Sequence, residues 1–203
     1  MSPEASRHRA VALVLAAGRG RRFGSDKRLA RLADGRPLLV ATLESLTPVF
    51  DEILLVVRRE EAFNTLALPP RVSLVHAERA DEGMGASLAT GVTALLSRAA
   101  TPSAQALAVL LGDMPWLARD TLETLVARTE ARTITRPAHD GRPGHPVLFG
   151  RDFWPLLAEQ GGDTGGREVI RRYRERVVDV PVSDPGIHRD VDYPADLGLS
   201  SPD

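Results

Sequence analysis

Cysteine is absent from the 203-residue chain, and aromatic residues make up only 4% of it. The first absence excludes a disulfide framework and a thiolate metal site. The second means that a core has to be assembled from aliphatic side chains. Neither sign of charge is in excess, with 26 Lys+Arg against 27 Asp+Glu. The molecule as a whole is therefore no polycation, and affinity for phosphate must come from a local cluster. That disfavours a generic nucleic-acid-binding role. Long hydrophobic runs are missing as well: the apolar stretches are interrupted within about ten residues, short of the roughly 20 that a bilayer span needs. Val11 to Ala17 is too short, and too soon followed by arginines, for the core of a signal peptide. A cytoplasmic protein with no membrane segment is expected. What the chain does have is 43% hydrophobic residues and enough length to bury roughly 70% of the surface its unfolded form exposes. One domain spanning 1–203 is expected, with flexible tails at 1–9 and 200–203.

Short apolar runs alternate with amphipathic stretches, the pattern of βαβ units around a mostly parallel sheet. Val11 to Leu15, Ile53 to Val57, Val72 to Val75 and Leu107 to Leu111 are continuous apolar runs, as strands buried on both faces are. Pro37 opens a helical run reaching Leu46, because a proline in a first turn lacks only an N–H that has no intrahelical partner. Gly85 to Ala99 and Asp120 to Arg132 also have helical spacing. From about residue 133 the pattern breaks, with Pro137, Gly141, Pro143, Gly144 and Pro146 crowded before a strand at Val147 to Phe149. Helices at Asp152 to Glu159 and Gly165 to Glu175, and a strand at Val177 to Val180, complete the chain. The expected fold is a three-layer α/β domain with a Rossmann-like, mostly parallel sheet and a small antiparallel excursion over residues 137–150.

Ligands of open α/β sheets bind outside the carboxyl ends of the strands, so the segment after the first strand is where chemistry is expected. It reads AAGRGRRFGSDKRLAR. Gly18, Gly20 and Gly24 let the backbone approach a ligand, while Arg19, Arg21, Arg22, Lys27, Arg28 and Arg31 surround the single acid Asp26. Backbone N–H groups with guanidinium forks match a polyphosphate. Gly24 falls one position late for G-x-G-x-x-G, and the spacing is not G-x-x-x-x-G-K-[ST], which demotes a dinucleotide site and a P-loop alike. A solvated basic turn is the bland alternative, and placement after a buried strand counts against it.

Asp113 follows Gly112 directly after a strand too apolar to be anything but central. An unpartnered carboxylate there is costly, so it either caps the next segment or meets a cation. Asp190, Asp192 and Asp196 form a second acidic group that composition alone would leave as solvated surface. Gly83, Gly85 and Ser87 open a helix where a base or ribose could lie against backbone, with tight packing an equal alternative. His145, between Gly144 and Pro146, has a rigid, exposed context suited to a second substrate. Gly165 and Gly166, with Arg167 in the following turn, predict an anion site at a helix start.

Residues 15–27, LAAGRGRRFGSDK, resemble the L-A-A-G-x-x-x-R-x-G-x-x-K signature of nucleotidyltransferases related to molybdenum cofactor cytidylyltransferase and guanylyltransferase. Further elements are similar: GDMP around Asp113, GHPVLF from Gly144 to Phe149, and the segment from Asp190 to Leu197, with Tyr193 where the family carries threonine. EGMGASL departs from the family element at Gly85 and Ala86, and Gly166 replaces an alanine. The resemblance implies a nucleotide-diphospho-sugar-transferase-like fold and an Mg²⁺-dependent enzyme. It puts Leu15, Ala16, Ala17, Gly18, Arg19, Gly20, Arg22, Gly24, Lys27, Gly83, Ser87, Gly112 and Asp113 on the nucleotide, with Arg22, Lys27 and Asp113 catalytic. Asp113 and Asp192 would hold the metal, and Asp190 would be mainly structural. His145, Pro146, Asp163, Gly165 and Arg167 would meet the acceptor. The implied reaction moves CMP from CTP to the phosphate of molybdenum-molybdopterin and releases pyrophosphate. Ala17 and the GHPVLF element favour CTP over GTP. A guanylyltransferase of the same fold and a non-catalytic molybdenum cofactor chaperone are the alternatives, and a molybdenum hydroxylase or its chaperone is the implied protein partner.

Overall fold

The computed structural model describes residues 10–18, 23, 26–58, 66–98 and 104–198. Four strands form its parallel half: β1 (Ala10–Leu15), β2 (Ile53–Arg58), β3 (Val72–Ala77) and β4 (Ala106–Leu111), in the order β3-β2-β1-β4. β1 is buried along its whole length, as a strand with helices on both faces must be. Its side chains alternate between two cores. Ala10, Ala12 and Val14 pack with α1 (Leu38–Leu46) and α3 (Arg119–Arg128), while Val11, Leu13 and Leu15 pack with α2 (Met84–Leu96) on the opposite face. This is the expected three-layer α/β architecture. Gly91 brings the backbone of α2 onto the sheet, since a Cβ there would lie 2.6 Å from Leu13 Cδ1.

The sheet reverses direction beyond β4. β7 (Val147–Gly150) pairs antiparallel with β4, and β5 (Ile134–His139) pairs antiparallel with β7. On its other side β5 runs parallel to β8 (Val177–Pro181), and β6 (Arg142–Pro143) forms a hairpin with it. The antiparallel excursion is thus present, but larger than expected: β5 is a central strand where the sequence pattern offers none. Pro137 hides it. That residue falls between the pairing of β5 with β7 at Ile134 and Thr135 and its pairing with β6 at Ala138 and His139, where no donor is required.

Helix ends differ modestly from the periodicity. α3 stops at Arg128 because Thr129 is extended and its hydroxyl donates to the Leu125 carbonyl at 2.7 Å. The run from Asp152 resolves into a 3-10 turn over Arg151–Phe153 and a short α4 (Trp154–Ala158). Gly165, with φ at +55°, delays α5 (Arg167–Arg172), which gives way to a 3-10 turn at Arg174–Arg176. The expected tails lie outside the described residues. Among the described residues no helix is long and apolar enough to cross a membrane.

Candidate active site

Leu15 at the end of β1 stands opposite Leu111 at the end of β4, so the chain leaving each strand meets the other. Gly112 N–H donates to the Leu15 carbonyl at 3.1 Å. A Cβ on Gly112 would lie 3.0 Å from Ala16 Cβ and 3.3 Å from Leu39 Cδ1, so the two chain ends pack closely here. Around this edge opens a cavity of about 620 Å³, in the range of small-molecule sites. Of the expected site residues its wall includes Leu15, Ala16, Ala17, Gly18, Lys27, Gly83, Ser87, Gly112, Asp113, Asp163 and Asp192. Phe23, Asp26, Arg28, Arg58, Ala80, Asp81, Met84, Leu111 and Asp190 complete it. Arg19, Gly20, Arg22 and Gly24 lie outside the described residues.

Lys27 is the hub. Its ammonium donates to Asp113 Oδ2 and to the Val191 carbonyl at 3.0 Å, and lies 3.8 Å from Asp192 Oδ1. Val191 N–H donates in turn to the Asp113 carbonyl at 3.0 Å, which locks the C-terminal segment against the end of β4. The buried Val191 side chain packs in a small apolar cluster with Phe23, Leu38 and Trp116. Asp196 Oδ2 accepts from the N–H groups of Asp192 and Tyr193, so Asp196 shapes the turn. Burial pushes the Asp113 carboxyl above the usual carboxylate range, against the pull of Lys27. Asp113 Oδ1 is buried with no hydrogen-bond partner, a state that costs about 1–3 kcal/mol. An oxygen-seeking cation fits this pair: Asp113 supplies the open oxygen and Asp192 a second carboxylate beside the same lysine.

The far wall is built from the first turn of α2. Gly83 has φ at +116°, and a Cβ on it would sit 2.2 Å from Asp163 Oδ1 and 2.5 Å from the Gly162 carbonyl. Gly85 N–H donates to that carbonyl at 2.7 Å. Segment 161–163 therefore lies directly on the turn that carries Gly83 and Ser87. Asp163, expected on the acceptor side, stands beside the expected base side. Arg58 at the end of β2 pairs with Asp81 at 2.8 Å across the same wall. Neither had been singled out. The available signal was the arginine pair Arg58 and Arg59 ending an otherwise apolar run.

His145 departs from expectation. It is half-buried rather than exposed, and its Nδ1 is buried without a partner. Gly144 is the cause: a Cβ there would lie 2.5 Å from the Ile187 carbonyl, so the chain is drawn under the 185–188 turn, and His145 N–H donates to that carbonyl at 2.9 Å. Burial lowers the His145 pKa, Asp190 opposes this, and Arg167 adds to it. His145, Pro146, Gly165 and Arg167 are not part of the cavity wall, although the register Val109↔Val147 places the approach to β7 beside the end of β4. At the start of α5, where an anion site is expected, the helix is six residues long and the Arg167 N–H donates to the Thr164 carbonyl at 3.1 Å. Asp190, expected to be mainly structural, lines the cavity, and its charge acts on both Asp113 and His145.

A family described as the MobA-like NTP transferase domain matches residues 12–177. Among curated proteins the chain is 27% identical over 169 residues to the purine catabolism protein PucB of Bacillus subtilis, covering 79% of this chain and 80% of that one. It is 35% identical over 138 residues to 2-C-methyl-D-erythritol 4-phosphate cytidylyltransferase of Aquifex aeolicus, covering 62% of this chain and 64% of that one. It is 31% identical over 146 residues to molybdenum cofactor guanylyltransferase of Rhodobacter capsulatus, covering 72% and 66%. Among solved structures, the Rv0371c homologue from Mycobacterium sp. strain JC1 superposes with a TM-score of 0.79 at 30% identity, covering 94% of this chain and 93% of that one. Rv0371c of Mycobacterium tuberculosis, solved in complex with manganese, has a TM-score of 0.68 at 28% identity, with 86% and 88% covered.

Proposed function

Because the chain belongs to the MobA-like NTP transferase domain family, we propose that its cavity binds CTP and transfers CMP to the terminal phosphate of a molybdopterin-type acceptor. The observation that carries this reading is Lys27, held between Asp113 and Asp192 at the carboxyl edge of the parallel strands and beside the Ala16–Gly18 backbone. That edge is where ligands of open α/β sheets bind.

The acceptor phosphate is anionic at neutral pH and needs no general base. One of its oxygens forms a bond to the α-phosphorus of the triphosphate as the bond from that phosphorus to the bridging oxygen breaks. The electron pair leaves with pyrophosphate. Catalysis of this kind rests on positioning and charge stabilisation. Ala16, Ala17 and Gly18 offer backbone to the triphosphate, Lys27 supplies positive charge where negative charge develops, and Gly83 with Ser87 flanks the base or sugar. Mg²⁺ held by Asp113 and Asp192 would supply charge neutralisation for the phosphate oxygens. The manganese complex of Rv0371c supports a divalent ion in such a fold.

CTP is supported by Ala17, by the GHPVLF element and by the resemblance to an Aquifex cytidylyltransferase. GTP is the second reading, favoured by relatives that carry the name molybdenum cofactor guanylyltransferase. The product would pass to a molybdenum hydroxylase or its chaperone. The test is thermal unfolding with Mg²⁺ and CTP, GTP, ATP or UTP. At about 100 times the dissociation constant the cognate nucleotide stabilises by roughly 2.7 kcal/mol, a rise of several degrees in the midpoint. A shift with CTP alone supports the cytidylyl reading, a shift with GTP alone replaces the base, and no shift with any triphosphate moves the cofactor chaperone to the front.

A further inference from the structure

The cavity wall holds an aspartate for which the proposed reaction has no role. Asp26 lines a space meant for a triphosphate, where a free carboxylate would repel it. Both of its oxygens are engaged by Arg28. Oδ1 accepts from Nε at 2.7 Å and from the Arg28 backbone N–H at 3.1 Å, and Oδ2 accepts from Nη2 at 2.8 Å. Nη1 of the same guanidinium donates to the Ala16 carbonyl at 2.7 Å. Ala16 is the first residue past β1, and Asp26 is the N-cap of the 3-10 turn Lys27–Leu29. One side chain, 11% exposed, thus ties together the two ends of the segment joining the first strand to Lys27. The hydrogen bond from Arg28 also holds the Asp26 carboxyl below its usual range, so the pair stays ionised.

We propose that Arg28 is a positioning residue for nucleotide binding. It closes the neck of the chain between Ala16 and Asp26 and cancels the Asp26 charge that would otherwise face the triphosphate. This rests on the nucleotidyl-transfer reading above. Closing the neck in advance removes an ordering cost that binding would otherwise bear. The geometry needs arginine: a planar fork can grip a carboxylate with two nitrogens and reach a carbonyl with the third, and a lysine ammonium cannot.

Arg28→Met, Arg28→Lys, Asp26→Asn and the Asp26→Asn/Arg28→Met double variant test the assignment. Arg28→Met should raise KM for the triphosphate about tenfold while kcat changes less than about threefold, the signature of lost binding rather than lost chemistry. Arg28→Lys should not rescue it. Asp26→Asn in the Arg28→Met background should recover part of the loss, because the uncovered charge is gone, so the two effects are not additive. Hydrogen exchange at the amides of residues 16–18 and 29–30 should quicken in Arg28→Met without any nucleotide present. A lower melting midpoint with KM unchanged in the folded enzyme would overturn the proposal, as would unaltered exchange. If Arg28→Met does not fold, the KM of Arg28→Lys decides in the same way. Calorimetry of the wild type with Mg²⁺ and triphosphate separates the two layers. Faster exchange in the variant, with no triphosphate bound by the wild type, would leave the clamp as architecture and overturn its assigned role together with the function.

Discussion

The parallel half of the sheet and the half beyond β4 are held together differently. In the first, continuous runs of Val, Leu, Ile and Ala bury every residue of β1 and five of the six in β2 and in β4, and the helices press aliphatic faces onto them. In the second, close approaches are made by backbone at glycines. A Cβ on Gly150 would lie 2.2 Å from the Glu130 carbonyl oxygen, and one on Gly186 would lie 2.2 Å from that of Trp116. Side-chain ends can rotate and backbone cannot. The first half should therefore absorb substitutions that the second refuses, and the site draws charged residues from both, with Lys27 and Asp113 from the first and Asp163, Asp190 and Asp192 from the second.

The largest effect should come where the two halves meet. Asp113→Ala should lower kcat/KM about a thousandfold or more while the protein stays folded, measured as pyrophosphate release with acceptor present. A retained rate would remove Asp113 from the chemistry and leave the parallel half as a scaffold only. Next comes a matched pair. Gly150→Ala meets two carbonyls and should cost about 1–3 kcal/mol or more in urea unfolding. Gly91→Ala meets the buried side chains of Leu13 and Val56, which must shift, but gains about 0.8–1 kcal/mol of helix propensity, so its net loss should be smaller. Equal losses would break the contrast between the halves.

A smaller effect should appear in the pH dependence of stability. His145 has a pKa lowered from its usual 6.5 by burial, so its contribution is fully present above pH 6.5 and is lost as pH falls through the folded value. His145→Gln should flatten the fall in melting temperature between pH 7 and pH 5. An unchanged slope would mean that burial of His145 is not felt. The smallest effect belongs to Gly18→Ala, since among the described residues a Cβ there has nothing within 4 Å and would shift stability by less than about 0.5 kcal/mol.

The same contrast decided what could be read from the chain itself. β1, β2 and β4 announced themselves because burial on both faces demands uninterrupted apolar residues, whereas β3 is an edge strand with only two of its six residues buried. Asp113 stood out because it is a charge just past an uninterrupted apolar strand, and Lys27 because it belongs to the cation-rich, glycine-bearing segment that follows β1. β5 was not, since Pro137 argues locally against a strand and only the break between two ladders permits it. Arg58 and Asp81 were missed because their pairing exists only once β2 and the turn before α2 lie side by side. His145 was misjudged as exposed, its local glycine and proline giving no sign of Ile187, which arrives from the other end of the excursion.

The bond from Lys27 to the Val191 carbonyl joins positions 164 apart in sequence. A ribosome making this protein finishes β1, Lys27, β4 and Asp113 long before it adds the carbonyl and the Asp192 carboxylate that complete the centre. The charge cluster around Lys27 therefore cannot be assembled until residue 192 has been added. A product terminated before that point, even one with its parallel sheet in place, would lack the assembled charge set.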